Sequence, residues 1–371
     1  MFVKRAGKLI CMFSLWVDDN FVIYNVPEAG KMFEELLQNS KYGYTTEPFD
    51  YALGMNLNHD YAGEKLAMSH RNFCSRFFKM NNLLKVPVKS IPVPVGTVVS
   101  KKDCPAVFRQ DNAMYTRFRK ILGGMHHVAT WTHKEMAYSV GLISKVMANP
   151  GPAHMDLLLH MVGYLRGVAD RPMIFRRNAR LFPSSKVSLW GYCDANYAGC
   201  IDTRRSTTGY AIFGDGMLLG SGSRLQPSVA LATAEAEFMA LTMIITSIVW
   251  FSSLLMELGI EVELPILIFC DNKSAICIAK TATVNFKYSK HIDVRQMYCR
   301  EIINRDGGGF IDVIYCKSEG NISDIMTKQL PRTKFVELRD FLLGNVMPII
   351  SKKDEWMSSL HEIFENNDKF D

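Results

Sequence analysis

The longest periodic pattern of apolar residues in the chain runs from residue 233 to residue 259. Its apolar members recur at steps of three and four, namely Phe238, Leu241, Ile245, Ile248, Leu255 and Leu258. That spacing places them on one side of an α-helix, which must be buried. Thr233 is positioned to cap the N-terminus, and Gly259 follows as a C-terminal stop. The pattern predicts a core helix over residues 233–258.

Shorter apolar runs around that helix predict the strands of a sheet. Residues 266–270, Ile-Leu-Ile-Phe-Cys, are apolar without interruption, which is typical of a strand covered on both faces. The Gly214-Asp215-Gly216 segment is a strong hairpin signal. The other elements are strands at 187–193, 208–213, 217–222 and 310–316, and helices at 273–280, 292–304 and 322–328. This order predicts an α/β fold in which helices pack on a mixed sheet.

Four acidic residues stand where these elements begin or end. Asp194 and Asp271 follow apolar runs, Asp324 lies on the short helix at 322–328, and Glu237 lies near the start of the long helix. Glu235 is two residues from Glu237, so the two side chains point to nearly opposite sides, and only Glu237 shares a line with the buried positions. Carboxylates at the ends of neighbouring strands fall together in space. Four of them would bind hard divalent ions, and two such ions are the usual device for cleaving phosphodiesters.

Six short motifs surround these acids, and their order along the chain is far more specific than any one of them. They are Asp-Ala-Asn-Tyr-Ala-Gly (194–199), Arg-Arg-Ser-Thr-Thr-Gly-Tyr (204–210), Gln-Pro-Ser-Val-Ala-Leu-Ala-Thr-Ala-Glu-Ala-Glu-Phe (226–238), Cys-Asp-Asn-Lys-Ser-Ala (270–275), Lys-His-Ile-Asp-Val-Arg (290–295) and Ser-Asp-Ile-Met-Thr-Lys (323–328). In this order they resemble the ribonuclease H domain of copia-type retrotransposon polyproteins. The resemblance implies a ribonuclease H-like mixed five-stranded sheet with packed helices.

The resemblance also implies a chemistry. Asp194, Glu237, Asp271 and Asp324 would hold two Mg²⁺ ions, and the domain would cut the RNA strand of RNA–DNA hybrids, whose strands differ by the 2′-hydroxyl. Most candidate contacts to the nucleic acid are cationic, because cations neutralise phosphates. These candidates are Arg204, Arg205, Asn272, Lys273, Lys290, His291 and Arg295. For the cations the alternative role is solubility, and for Asn272 it is capping of the next helix.

A second resemblance lies near the N-terminus. Two apolar runs, 8–17 and 21–24, predict a hairpin. The sequence at its turn is Trp16-Val-Asp18-Asp19. It resembles the Tyr-x-Asp-Asp turn of reverse transcriptases, with Trp16 in place of tyrosine, and two carboxylates on such a turn are accessible to a metal. That family needs another metal-binding aspartate upstream, and none precedes this turn. Asp18 and Asp19 are therefore expected to be a polymerase remnant that synthesises no DNA.

These resemblances divide the chain into four expected segments. Residues 1–100 would be a partial reverse transcriptase, comprising the end of the palm and a thumb-like helix over 66–84. Residues 101–185 would be a helical connection, 186–345 the ribonuclease H-like domain, and 346–371 a tail. A length of 371 residues is sufficient for two domains with separate cores.

Composition narrows the class of protein only a little. The net charge of +6 is compatible with a polyanionic partner without demanding one. Nine cysteines without a Cys-x-x-Cys pair fit a reducing compartment, so an intracellular location, in the cytoplasm or nucleus, is expected. Residues 238–256 are uncharged and approach membrane-spanning length, but they include five serines and threonines and lie within the motif-defined domain. No membrane is therefore expected.

Several positions depart from the family pattern. Asn196 stands where a second acidic residue is common, and Gly220-Ser-Gly-Ser replaces a segment that usually holds tryptophan and lysine. Thr132-His-Lys-Glu stands where relatives have Thr-Arg-Pro-Asp, and the long helix has lost charges on its outer face. The four carboxylates are retained. Two hypotheses therefore stand: an active two-metal ribonuclease H, or a decayed or domesticated retroelement remnant that folds and binds nucleic acid without catalysis.

Overall fold

In a computed structural model of the chain, the described residues are 2–7, 9–16, 19–39, 45–107, 113–176, 185–280, 290–303 and 309–345. They form two compact units, Met1–Leu53 and Gly54–Asp371. The predicted segment 1–100 is thus divided between the units, and the predicted tail lies outside the described residues. The four-segment division itself stays a prediction.

The first unit is a small antiparallel sheet with a helix beside it. Its elements are β1 Phe2–Ala6, β2 Leu9–Trp16, β3 Asp19–Tyr24, α1 Pro27–Gln38 and β4 Tyr51–Ala52. The strand order is β1-β2-β3, and both pairs are antiparallel. Pro27 opens α1, a position where its missing N–H costs no hydrogen bond. The helix packs on the sheet through Phe33 and Phe13, whose ring centroids are 5.2 Å apart.

The predicted N-terminal hairpin is confirmed by the pairing of β2 with β3. Asp19 is the first residue of β3 and pairs with Trp16. Asp18 and the side chain of Asp19 lie outside the described residues. The polymerase-remnant interpretation of both aspartates therefore stays a prediction.

The second unit begins with three strands and four helices. They are β5 Met55–Asp60, β6 Lys65–Ser69, α2 Arg71–Met80, α3 Ala113–Trp131, α4 Ala137–Ser144, α5 Pro152–Val168 and β7 Met173–Arg176. The single helix predicted over 66–84 is wrong at its start, where the chain forms β6. This strand pairs with β5 and also with β7, through partners such as Leu66 and Phe175. Hydrogen bonds to a strand so far along the chain leave no trace in local apolar spacing.

The rest of the second unit is a mixed sheet with helices. Its strands are β8 Leu189–Asn196, β9 Thr207–Gly214, β10 Met217–Leu225, β11 Ile266–Cys270 and β12 Ile311–Tyr315. The helices are α6 Thr233–Glu257, α7 Lys273–Lys280, α8 Lys290–Ile303 and α9 Arg332–Leu342, with a 3-10 helix at Ile322–Met326. The five strands have the order β10-β9-β8-β11-β12. The first three along the chain are antiparallel, and β11 and β12 run parallel to β8. The predicted ribonuclease H-like mixed five-stranded sheet is confirmed.

The predicted hairpin between β9 and β10 is also present. Gly214 pairs with Met217, which leaves Asp215 and Gly216 as a two-residue loop. Both loop residues have positive φ, 49° for Asp215 and 86° for Gly216, as the tight turns of such hairpins require. The Asp215 carboxylate also accepts the Ser188 amide hydrogen at 3.0 Å, which ties the turn to the start of β8.

Both faces of the sheet are buried, as the apolar run of β11 predicted, since all five of its residues are buried. On one face, α6 packs along β8, and Ile244 is fully buried. Gly191 of β8 permits this approach, because a Cβ there would lie 2.6 Å from the Ile244 side chain. On the other face, Tyr192 and Phe269 join the core of the preceding helices, including Tyr164 of α5. Residues before the sheet in the chain thus contribute to the cover of this second face.

Helix α6 has the length and composition of a membrane-spanning helix. Its most apolar window has a mean hydropathy of 2.0, and 44% of that window is buried within the protein. The buried residues lie mainly in its first two-thirds and include Leu241, Ile244 and Ile248. They contribute to the core beside the sheet, at roughly 2 kcal/mol for each fully buried aliphatic side chain.

Candidate active site

The parallel pairing of β8 and β11 places two of the four predicted carboxylates side by side. Cys193 and Cys270 are partners in this ladder. Asp194 and Asp271 come directly after them, so both aspartates lie at the carboxyl edge of the sheet. Asp194 is almost fully buried, at 2% exposure, and Asp271 is partly buried.

The third carboxylate reaches the same edge from α6. Glu237 lies in the early turns of this helix and is 4% exposed, and one of its carboxylate oxygens, Oε2, has no hydrogen-bond partner among the described residues. Ligand atoms of Glu237, Cys270 and Asp271 all lie within 4.8 Å of one another. Three potential metal ligands thus converge beside a buried acceptor to which no described residue donates a hydrogen bond.

Glu235, the neighbouring acid, serves the helix terminus instead. Its Oε2 accepts the Leu231 amide hydrogen at 2.6 Å, one turn before it. The predicted cap at Thr233 is wrong, because the capping position is Ala232 and no side chain there accepts a hydrogen bond. Glu235 binds a backbone donor beside the positive end of the helix, where a carboxylate is favoured.

The fourth carboxylate is brought in by the 3-10 helix Ile322–Met326. Asn321 caps that helix by accepting the Ser323 amide hydrogen at 3.1 Å. The other end of the Asn321 amide donates to the Cys193 carbonyl at 2.9 Å, which fixes the helix against β8. Asp324, at 8% exposure, is thereby held on the same side as Asp194.

Hydroxyl and ammonium groups hold the carboxylates in place. Thr327 Oγ1 donates to Asp194 Oδ2, and Ser318 Oγ donates to Asp271 Oδ2 at 2.7 Å. The Lys328 ammonium lies 2.7 Å from Asp324 Oδ1 and 3.5 Å from Asp194 Oδ2. These contacts orient three carboxylates and place a cation between two of them.

The electrostatics of the cluster reflect crowded, buried negative charge. Burial, and then the neighbouring Asp194, Cys270 and Asp271, raise the pKa of Glu237 to about 10. Burial and then Asp194 raise the pKa of Asp324 to about 6, against the opposing effect of Lys328. Burial also raises the pKa of Asp194, while Lys328 and Thr327 lower it. Full ionisation of Glu237, Asp324 and Asp194 therefore requires more positive charge than Lys328 supplies.

The predicted nucleic-acid contacts are less uniform. Arg204 is exposed and has a left-handed backbone with φ of 55°, and Arg205 is partly buried. Asn272 caps α7, since its Oδ1 accepts the Ala275 amide hydrogen at 3.0 Å, which is the alternative role foreseen for it. The Lys273 ammonium lies 4.7 Å from the centre of the Tyr315 ring. The remaining candidates are in α8 with side chains outside the described residues, namely Lys290, His291 and Arg295.

Four residues whose side chains lie beside the carboxylates were not assigned from the sequence. Cys270, Thr327 and Lys328 stood inside the motifs at 270–275 and 323–328, so proximity to Asp271 and Asp324 was an available signal. Ser318 belonged to no motif, and only the approach of its loop to β11 reveals it.

Comparison with known proteins identifies relatives over most of the chain. The Retrovirus-related Pol polyprotein from transposon TNT 1-94 of Nicotiana tabacum is 31% identical over 80% of this chain. The Retrovirus-related Pol polyprotein from transposon RE1 of Arabidopsis thaliana is 25% identical over 90% of it. The chain spans 22% of the length of each of these relatives. No family model matches the chain.

Among solved structures, the chain is similar to LC11-RNase H1, determined in complex with RNA/DNA hybrid. The identity is 13% and the TM-score 0.28, with 38% of this chain and 94% of that one covered.

Proposed function

The chain belongs to the copia-type retrotransposon Pol polyproteins, and from this premise we propose that its mixed-sheet region is a two-metal ribonuclease H that cleaves the RNA strand of RNA–DNA hybrids. The observation that supports the proposal is the convergence of Asp194, Glu237, Asp271 and Asp324 at one edge of the sheet. Each comes from a different element, so no local structural need explains their meeting.

The donor set fits hard divalent cations. Carboxylate oxygens are the ligands that Mg²⁺ takes in proteins. Oε2 of buried Glu237, which accepts no hydrogen bond from the described part of the chain, is an acceptor that a cation would satisfy. The four acids would hold the ions, which in this enzyme class activate a water and stabilise the leaving oxygen.

The other residues of the site act on the carboxylates. Thr327 donates to one oxygen of Asp194, and Ser318 donates to one oxygen of Asp271. Asn321 holds Asp324 in reach by binding the backbone of β8. Preorganisation of this kind matters because ligands already in position need no rearrangement when charge develops.

The proposed substrate also fits the charges around the site. Lys273 is the first residue of α7, two positions after Asp271, and Arg204 is exposed in the loop between β8 and β9. Both would meet phosphates of the hybrid, and the carboxylates would hold the ions that act on the phosphate to be cut. The contacts carry no sequence information, so cleavage is expected at many positions along a hybrid.

Hydrolysis of an end-labelled RNA–DNA hybrid tests the proposal. The unmodified chain is expected to cut the RNA strand with Mg²⁺ and not with EDTA. Asp271→Asn should abolish the cleavage, because the amide keeps the shape and loses the charge that offsets ion–ion repulsion. Asp312→Asn is the matched control, since Asp312 lies on β12, pairs with Lys280 and takes no part in the cluster.

Melting curves of the same proteins without metal separate a functional from a structural role. Asp271→Asn should be as stable as the unmodified chain or slightly more stable, because it relieves repulsion among carboxylates. Cleavage at the unmodified rate would place the site elsewhere, and unfolding would make Asp271 a structural residue. An unmodified chain that never cleaves would favour the decayed remnant.

A further inference from the structure

The four carboxylates are not equally supplied with positive charge. Lys328 lies against Asp324 and Asp194, at 2.7 and 3.5 Å from their nearest oxygens. Within the described residues, no ion pair joins Glu237 or Asp271, and negative neighbours and burial dominate the environment of Glu237. The site thus has two halves, which we call the paired half, Asp194 and Asp324, and the open half, Glu237 and Asp271.

A backbone hydrogen bond and a hydroxyl group hold the paired half in addition to the Lys328 ammonium. The Lys328 amide donates to the Asp324 carbonyl at 3.1 Å, so the backbone of Lys328 is fixed one turn after Asp324. Thr327, its neighbour, donates through its hydroxyl to Asp194. Two successive side chains therefore bind the same carboxylate, and only one of them brings a charge.

The Lys328 side chain is able to leave. It is 37% exposed, whereas Asp194 and Asp324 are 2% and 12% exposed at their side chains. A lysine ammonium on a flexible stem is readily rehydrated once it turns outwards, but the two buried carboxylates cannot follow it. Without the ammonium, they would face each other unneutralised in a water-poor site.

We propose that Lys328 is an internal counter-cation of the paired half, and that it makes divalent-ion binding at this site stepwise. The inference rests on the proposed function, since it concerns the same carboxylates. Glu237 and Asp271, which form no ion pair with any described residue, bind an ion without displacing Lys328. Asp194 and Asp324 coordinate one only after Lys328 has moved out, so the second ion binds more weakly than the first.

The expected size of this effect follows from the geometry. A partly exposed ammonium at hydrogen-bond distance from a buried carboxylate is worth on the order of a tenfold change in a binding constant. Removing the charge should tighten the second binding step by about that factor and leave the first nearly unchanged.

Calorimetric titration of the full chain with Mn²⁺, without nucleic acid, tests the inference. The unmodified chain should show two separate binding steps. In Lys328→Gln the second step should tighten about tenfold, and the metal-free melting temperature should fall because the carboxylates lose their counter-cation. Lys328→Arg keeps the charge and should keep the two steps separate. Lys334→Gln removes a lysine that pairs with Glu337 outside the site, and its isotherm should match the unmodified one.

The outcomes distinguish this inference from the proposed function. Unchanged isotherms in Lys328→Gln, alongside Mg²⁺-dependent cleavage by the unmodified chain, would overturn the inference alone. Lys328→Gln that loses cleavage with unaltered ion binding would also overturn it, by moving the lysine's role to the substrate. A Lys328→Gln protein that fails to fold even with Mn²⁺ would make the lysine purely structural. An unmodified chain that binds no Mn²⁺ would overturn both proposals.

Discussion

His70 shows at the scale of one residue how burial sets protonation. It is fully buried, its Nδ1 lies 2.7 Å from Thr132 Oγ1, and its ring meets the edge of His127 at 4.8 Å. Burial, and then the charges of His127 and His133, lower the pKa of His70 from 6.5 to about 3. A proton on this ring would therefore be unfavourable until the surrounding packing opens.

The stability of the chain should consequently fall in acid. Between pH 6.5 and about 3 the unfolded chain binds a proton at His70 and the folded chain does not. The free energy of unfolding therefore decreases as the pH falls, by up to about 1.4 kcal/mol per pH unit for this group. Urea unfolding of His70→Gln at pH 7, 6 and 5 should show a smaller decrease than the unmodified chain.

His126→Gln is the matched control for that measurement, because His126 is exposed on the same helix as His127. It should leave the pH dependence as it is in the unmodified chain. An equal slope in His70→Gln and the unmodified chain would show that other groups govern acid unfolding.

At the scale of elements, the glycine-serine segment of β10 has a packing role. A Cβ on Gly220 would lie 2.6 Å from a ring carbon of Phe251, and a Cβ on Gly222 would lie 2.6 Å from the Tyr210 ring. Phe251 belongs to α6. Because Gly220 has no side chain, the Phe251 ring can pack directly on the edge strand β10. The glycines that replace the family's usual residues here therefore leave space that the Phe251 and Tyr210 rings fill.

Gly220→Val should therefore destabilise the protein, although valine is a good strand former. The valine must displace the Phe251 ring, and overpacking of this kind costs about 1–3 kcal/mol. Arg224→Val places the same side chain at an exposed position of the same strand and should change stability by less than about 0.5 kcal/mol. Thermal unfolding compares the two, and equal melting temperatures would refute the packing argument.

At the scale of the whole molecule, the second unit has a core that crosses the predicted boundary at 185/186. Tyr164 of α5 meets Phe335 of α9 edge-on at 5.6 Å, and its hydroxyl donates to Glu135 at 3.0 Å. Phe213 of β9 meets Phe341 of α9 at 5.4 Å. The helices before the sheet and the helix after it therefore enclose the same face.

A fragment of residues 186–345 should then be less stable than one of residues 54–345. Without the preceding helices, Trp190, Tyr192 and Phe213 lose part of their cover, and large exposed apolar patches bind dyes and promote association. The shorter fragment is expected to bind an apolar fluorescent dye and to unfold without a sharp transition. If both fragments unfold at the same urea concentration, the sheet region is independent and the predicted boundary marks a true domain.

Much of this protein was determined by the sequence alone, because the relevant patterns are local. The burial of β11 follows from an apolar run, the β9–β10 hairpin from Gly214-Asp215-Gly216, and the length of α6 from three- and four-residue spacing. The acids could be named because Asp194 and Asp271 each follow a strand core. Strand and helix periods are properties of neighbouring residues, so they are present in the chain before it folds.

Contacts between residues far apart in the chain could be found only from the tertiary structure. Residues 65–69 form a strand because they pair with β7, whereas the local apolar spacing predicted a helix from residue 66. Ser318 reaches Asp271 because its loop follows β12, and Lys328 reaches both Asp194 and Asp324 because Asn321 ties the 3-10 helix to β8. Such contacts depend on the register and packing of elements far apart in the chain, and no local period encodes them.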